Sequence, residues 1–101
     1  MMELVQAYDN IGWVVMPIRS NSKIPVIKSW SKITSNDETM DKFDDDSNLG
    51  VVMGAASGII CIDVDVKAAD GVATLKGLEQ QYGKLPETVT SETPSGGIHY
   101  Y

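Results

Sequence analysis

Apolar residues in this chain come in short runs, each cut off by glycine, proline or aspartate. That pattern restricts the fold to short strands and short helices. Trp13-Val14-Val15-Met16 is one such run, closed by Pro17. Leu49-Gly50-Val51-Val52-Met53 and Ile59-Ile60-Cys61-Ile62 are two more, joined by Gly54-Ala55-Ala56-Ser57-Gly58. Each reads as a buried strand, and a short link flanked by glycines suits a hairpin between the last two. Thr88-Val89-Thr90-Ser91 is a further strand candidate. Ile98-His99-Tyr100-Tyr101 is another, after the turn Thr93-Pro94-Ser95-Gly96-Gly97.

Helical period appears in two places. Leu4, Val5, Tyr8 and Ile11 share one face, which predicts an amphipathic helix over 2–11 with Gly12 as its stop. Val72, Leu75, Leu78 and Tyr82 share another, behind Asp70 as N-cap and before Gly83 and Pro86. Ser35 and Glu38 have capping-box spacing, so a short helix is expected there, with Met40 and Phe43 turned inward. Residues 18–33 lack a period and read as a long loop. The order of elements implies an α+β fold, helices packed on a largely antiparallel sheet.

The chain has 101 residues, enough for one small domain or part of a larger one. At 43% hydrophobic and 22% charged it has the balance of a globular protein. No apolar run reaches the roughly 18 residues that a membrane span needs. The first residues lack the basic and then apolar stretch of a secretory signal. With Cys61 as the single cysteine, no internal disulfide can form, so a cytoplasmic setting is expected. The net charge of −6 counts against this stretch alone gripping nucleic acid. Yet Arg19, Lys23, Lys28 and Lys32 fall in a stretch without acidic residues, before Asp37, Glu38, Asp41, Asp44, Asp45 and Asp46. A basic loop beside a solvated acidic face is the ordinary reading; a basic loop that meets phosphate is the functional one.

Two constellations could carry chemistry. In Ile59-Ile60-Cys61-Ile62-Asp63-Val64-Asp65, alternation along a strand would put Asp63 and Asp65 on the same face. Two carboxylates that close repel unless a cation or a shared proton intervenes, and magnesium and manganese accept such oxygen ligands. The ordinary reading is that both aspartates leave the strand into a loop and cap the next helix. A calcium loop is excluded by Lys67, Ala68 and Thr74 at its fifth, glycine and final glutamate positions. In the second constellation, Gly96 and Gly97 could present successive N–H groups to phosphate oxygens, with His99 as a donor beyond them. A tight hairpin turn and then a satisfied histidine is the alternative. Gly50, Gly54 and Gly58 have no Lys-Ser or Lys-Thr behind them, so a Walker loop is excluded. Cys61, inside an apolar run, reads as packing.

In order and separation these pieces resemble one family. Ala7-Tyr8, Gly12-Trp13, Pro17, Lys23, Pro25 and Trp30 open the chain. Asn48-Leu49-Gly50-Val51, Gly54 and Ser57-Gly58 come next, then Asp63-Val64-Asp65, then Thr93-Pro94-Ser95-Gly96-Gly97-Ile98-His99-Tyr100. This resembles the bifunctional DNA primase/polymerase N-terminal domain, of the archaeo-eukaryotic primase superfamily, found in replication proteins of phages, plasmids and other mobile elements. The resemblance implies that Asp63 and Asp65 bind a divalent metal, Mg2+ or Mn2+. It implies that His99 contacts the triphosphate, with Ser95, Gly96 and Gly97 shaping the phosphate pocket. The implied partners are nucleoside triphosphates, a DNA template and primer, and a helicase module in the parent protein, with no membrane. The family's third motif, a further acidic residue on a later strand, has no counterpart here. Residues 1–101 are therefore expected to be the N-terminal portion of the catalytic domain, inactive alone, with a sheet edge open to self-association. Two other readings are a non-catalytic nucleotide- or partner-binding module of the same fold and an unrelated Asp-x-Asp glycosyltransferase.

Overall fold

Two units make up the chain, Met1–Ile59 and Ile60–Tyr101, in a computed structural model that describes residues 1–67 and 69–101. Ala68, which stands at the glycine position of a calcium loop, lies outside the described residues. The architecture is α+β with two small antiparallel sheets.

In the first unit, helix α1 (Met2–Asn10) buries Val5 completely and stacks Tyr8 on Trp13, ring centroids 5.8 Å apart. It ends one residue earlier than its apolar spacing suggests. Ile11 turns outward, and the N–H groups of Ile11 and Gly12 close on Tyr8 and Asp9. Strand β1 (Val15–Ile18) comes next and pairs with β2 (Asn48–Val51), Met16 opposite Gly50 and Ile18 opposite Asn48. The core of this unit is Val14, Met16, Ile18 and Ile33, with Ile27, Val52 and Ala56 packed against it.

Pro17 was expected to close the first strand, but it lies inside β1, opposite Leu49. The reason lies in which way its edge faces. Val15 N–H donates to Asn36 and Val26 N–H donates to the Pro17 carbonyl, so residues 15 and 17 turn their polar groups away from β2. A missing N–H costs no ladder bond there. The edge is covered by side chains. Asn36 Oδ1 accepts from Val15 N–H (2.8 Å) and the Thr39 hydroxyl donates to the Val15 carbonyl (2.8 Å). On the β2 side, Ser57 Oγ accepts from Val14 N–H (2.8 Å). All three side chains are buried.

The loop expected over 18–33 folds back through a bridge between Ile18 and Pro25 and ends in a 3-10 turn, Trp30–Lys32. The capping box is present. Glu38 accepts from Ser35 N–H (2.9 Å) while Ser35 Oγ accepts from Asp37 N–H (3.2 Å). It opens a pair of 3-10 turns, Asn36–Glu38 and Met40–Lys42, rather than an α-helix. Met40 and Phe43 are half-buried.

The hairpin expected across Gly54–Gly58 reduces to a single bridge, Gly54 to Ile59. Beyond it β2 keeps its ladder with β1, and Ile62–Val64 finds its partner in the second unit. There, β3 (Ile62–Val64), β4 (Thr90–Glu92) and β5 (Ile98–Tyr100) form an antiparallel sheet in the order β3-β5-β4. Helix α2 (Gly71–Tyr82) packs on β3, its N-cap Asp70 accepting from Ala73 N–H (3.1 Å). The run 59–62 is not the buried strand its composition suggests. Ile60 is 72% exposed and Ile62 40%, because β3 lies at the edge of a narrow sheet; Val64 is 4% exposed. On α2, Val72 and Leu75 are half-buried while Leu78 and Tyr82 stay exposed. No helix among the described residues is long and apolar enough to cross a membrane.

Candidate functional site

All the candidate site residues fall in the second unit, around the exit of β3. Register places Asp63 of β3 directly opposite His99 of β5, and Ser91 of β4 opposite His99 on the other side. Directly opposed residues share a face of the sheet, so Asp63, His99 and Ser91 form a row across it. His99 Nε2 lies 3.3 Å from Asp63 Oδ1, with the Asp63 side chain mostly exposed and that of His99 about one-third so. Their neighbour Val64 points the opposite way and is buried.

Asp65 stands one residue past β3. Its Oδ1 accepts from Lys67 N–H (2.9 Å) and its carbonyl accepts from Gly71 N–H (2.9 Å). Its carboxylate therefore shapes the local turn that leads into α2, while Asp70 does the capping. A Cβ on Gly71 would fall on the Asp65 carbonyl, so only glycine allows the helix to start this close to the strand exit.

The turn Thr93–Gly97 lies against the same exit. A Cβ on Gly97 would collide with the Val64 carbonyl and with Thr93 Oγ1, and Gly96 faces Val66. The turn is closed by Gly96 N–H to the Thr93 carbonyl (3.0 Å) and Thr93 N–H to the Gly97 carbonyl (2.9 Å), with Gly96 at φ 90°. That is a three-residue hairpin loop with a left-handed glycine in last position. Gly97 N–H donates to Thr93 Oγ1 (2.9 Å). The N–H groups of Gly96 and Gly97 thus bond inside the turn rather than facing outward as a nest, because the loop is short enough for its own threonine to reach both. Ser95 Oγ, 3.3 Å from Thr93 Oγ1, stays exposed at the tip.

The donor chemistry suits a hard divalent cation. Asp63 engages His99 through Oδ1 and Asp65 engages Lys67 through Oδ1, which leaves Oδ2 of each carboxylate for a ligand. Among the described residues, no group of three or more histidine, cysteine, aspartate or glutamate side chains stands together as a metal cage. Cys61, two residues before Asp63, is half-buried; burial first and the Asp63 charge second push its thiol pKa up. A thiol so placed is held protonated, unlike an activated nucleophile.

A model of the bifunctional DNA primase/polymerase N-terminal family matches residues 5–101. The chain belongs to that family. No curated protein and no solved structure matches it. Membership brings a DNA primase/polymerase-related function in general and a nucleotidyltransferase type of domain.

In this primase/polymerase domain, sequence reasoning passed over Ser91, Thr93, Tyr101 and Gly71. Tyr101 OH lies 3.1 Å from Ser91 Oγ and 3.4 Å from His99 Nδ1. Period two along a strand would have put Tyr101 beside His99, and the turn's length would have put Ser91 opposite it. Gly71 carried no such signal, since its need arises from the Asp65 backbone across a tertiary contact.

Proposed function

We propose that this chain carries the metal- and nucleotide-binding corner of a DNA primase/polymerase, serving nucleotidyl transfer from nucleoside triphosphates. The setting would be replication of a phage, plasmid or other mobile element. The observation that carries the reading is the 3.3 Å approach of His99 Nε2 to Asp63 Oδ1 across two paired strands, with the glycine turn against the exit of β3. It joins a cation ligand to an anion-directed donor on one small surface.

In this reading Asp63 and Asp65 hold Mg2+ or Mn2+ through their carboxylate oxygens. A divalent ion held there would neutralise triphosphate charge and lower the pKa of an attacking hydroxyl. His99 donates to a phosphate oxygen and so orients the triphosphate beside the carboxylates. Ser95 offers a second donor at the turn's tip, and Gly96 and Gly97 shape the phosphate pocket by letting the turn close against the exit of β3. DNA template and primer are the remaining partners. The stretch holding Arg19, Lys23, Lys28 and Lys32 would supply phosphate contacts for them.

The test is a manganese titration of the chain monitored by NMR, with and without a deoxynucleoside triphosphate, beside an Asp63→Asn, Asp65→Asn variant. Selective broadening near residues 63–65 and 95–99, enhanced by nucleotide and lost in the variant, is expected. Broadening that is uniform, or equal in the variant, sinks the site. Incorporation of labelled deoxynucleotide on a primed template, set against transfer from a sugar nucleotide, then separates polymerase from glycosyltransferase. Metal–nucleotide binding with neither activity, in a protein that carries the family's third acidic residue, would point to a non-catalytic binding module.

A further inference from the structure

The second unit holds a row of side-chain contacts across the sheet, two links of which lie outside the proposed role of His99. Ser91 Oγ and Tyr101 OH stand at hydrogen-bond distance (3.1 Å), as do Tyr101 OH and His99 Nδ1 (3.4 Å), and at the far end His99 Nε2 lies 3.3 Å from Asp63 Oδ1. We propose that Tyr101, backed by Ser91, is a positioning residue that fixes His99 with its proton on Nε2. The ring's donor then faces Asp63 and the space where a triphosphate would enter. The use of that donor rests on the proposed nucleotidyl-transfer function; the fixing of the ring does not.

The polarity of the chain is set by its end. An ionised carboxylate only accepts, so a neutral His99 meets Asp63 favourably only with a proton on Nε2. Nδ1 then carries a lone pair and needs a donor. Tyr101 OH supplies it, and the phenol oxygen in turn accepts from the Ser91 hydroxyl. Run the other way, Nδ1–H would donate to Tyr101 and leave the Nε2 lone pair against a negative oxygen. Only one direction satisfies every member.

Tyr101 is built to hold still. Its N–H donates to the Val89 carbonyl (3.0 Å), and its own carbonyl accepts from the Thr88 hydroxyl, so the segment leading into β4 grips it beyond the last paired residues. Its ring meets the imidazole edge-on, centroids 6.1 Å apart at 86°. His99 and Tyr101 lie two apart on one strand and so project from one face. Ser91 reaches the same face from β4 by register.

The chain has a single histidine, which makes the test unambiguous. Two-bond proton–nitrogen spectra of the full 15N-labelled chain, at a pH where the ring is neutral, report which nitrogen bears the proton. They also report whether the bare one accepts a hydrogen bond. Since Nε2–H is the commoner tautomer of a free imidazole, the deciding comparison is between variants. In the wild type Nε2 should be protonated and Nδ1 shifted upfield by the phenol. Tyr101→Phe, which removes one oxygen and keeps the ring, should return Nδ1 downfield. Ser91→Ala should move it part of the way. Tyr101→Phe should also weaken manganese–deoxynucleotide binding by about three- to tenfold, the range one neutral hydrogen bond commands. A protonated Nδ1 in the wild type, or an Nδ1 resonance unmoved in a folded Tyr101→Phe chain, overturns the positioning role. The expected Nδ1 shifts without any nucleotide binding by the wild type would overturn the proposed function and leave the positioning intact.

Discussion

The first unit is organised around what its side chains fill, and the second around what two of its residues lack. In Met1–Ile59, Val5, Val15, Pro17 and Thr39 are fully buried, and the free edge of β1 is satisfied by buried Asn36 and Thr39. Among the described residues of Ile60–Tyr101 the buried ones are Val64 and Gly97, and the strand exit is shaped by two glycines that let backbones meet. A side-chain core gives the first unit its rigidity. The second keeps its polar row of Asp63, His99 and Ser91 near solvent, where ligands can reach it. Stability and chemistry are thus drawn from different residues, which is the general pattern for sites carried on a packed scaffold.

Asn36→Ala should break the first half of that comparison most severely. Asn36 accepts from Val15 N–H and donates to Asp9 and to the Trp13 carbonyl, each at 2.8–2.9 Å. Removing it leaves a buried strand N–H unsatisfied, so the loss should be about 2–4 kcal/mol in a denaturant titration. A loss under about 1 kcal/mol would mean that water substitutes for the side chain and that the edge is less sealed than its burial implies.

Gly97→Ala should cost about 2 kcal/mol, because the new methyl must displace the Val64 carbonyl or the Thr93 side chain. Its signature should be local: faster amide hydrogen exchange through β3 and β5, with the first unit unaffected. If exchange instead rises evenly across both units, they are not separable in the way their packing suggests.

Much of the fold and the site was legible in the residues alone, and the exceptions share a cause. The Asp70 cap, the Ser35–Glu38 box, the turn at Thr93–Gly97 and the strand before it are encoded in a few adjacent residues. The strands that carry Asp63 and His99 were legible too, though not their pairing, which joins distant parts of the chain. What failed depends on partners far along the chain. Pro17 could sit mid-strand because Val26 and Asn36 serve the edge facing away from β2. Ile59–Ile62 looked buried because four apolar residues look buried anywhere, but the narrow sheet leaves Ile60 and Ile62 exposed. Asn36, polar and in a turn, gave no sign that it would be interior. The glycines at 96 and 97 signalled a phosphate nest, whereas Thr93 takes up their N–H groups within the hairpin.

A smaller effect is expected on α2. Leu78 shares the apolar spacing of Val72 and Leu75 yet is 49% exposed, so Leu78→Ala should cost about 0.5 kcal/mol. The same truncation at Ile33, in the first unit's core, should cost about 3 kcal/mol. Near-equal losses would show that α2 buries its face against something in solution and would erase the contrast between the units.

The smallest effect expected is electrostatic and sits at the rim of the first unit. Glu38 has its carboxyl pKa lowered chiefly by Thr34 N–H, against an opposing desolvation, with Ser35 N–H and the Thr34 hydroxyl adding to the decrease. A carboxyl whose pKa is lower folded than unfolded contributes stability that is complete above the unfolded value. That contribution is lost as the pH falls through the folded one. Glu38→Gln keeps a side-chain acceptor for the capping box but removes the charge. The variant should therefore be slightly less stable at neutral pH, and the gap should close on acidification below the ordinary glutamate range. Paired urea titrations of the two proteins along a pH series would read it. A gap that persists in acid would assign the box's value to shape rather than charge. The box would then hold its turn through the geometry of its hydrogen bonds, as Thr39 holds the edge of β1 through its hydroxyl.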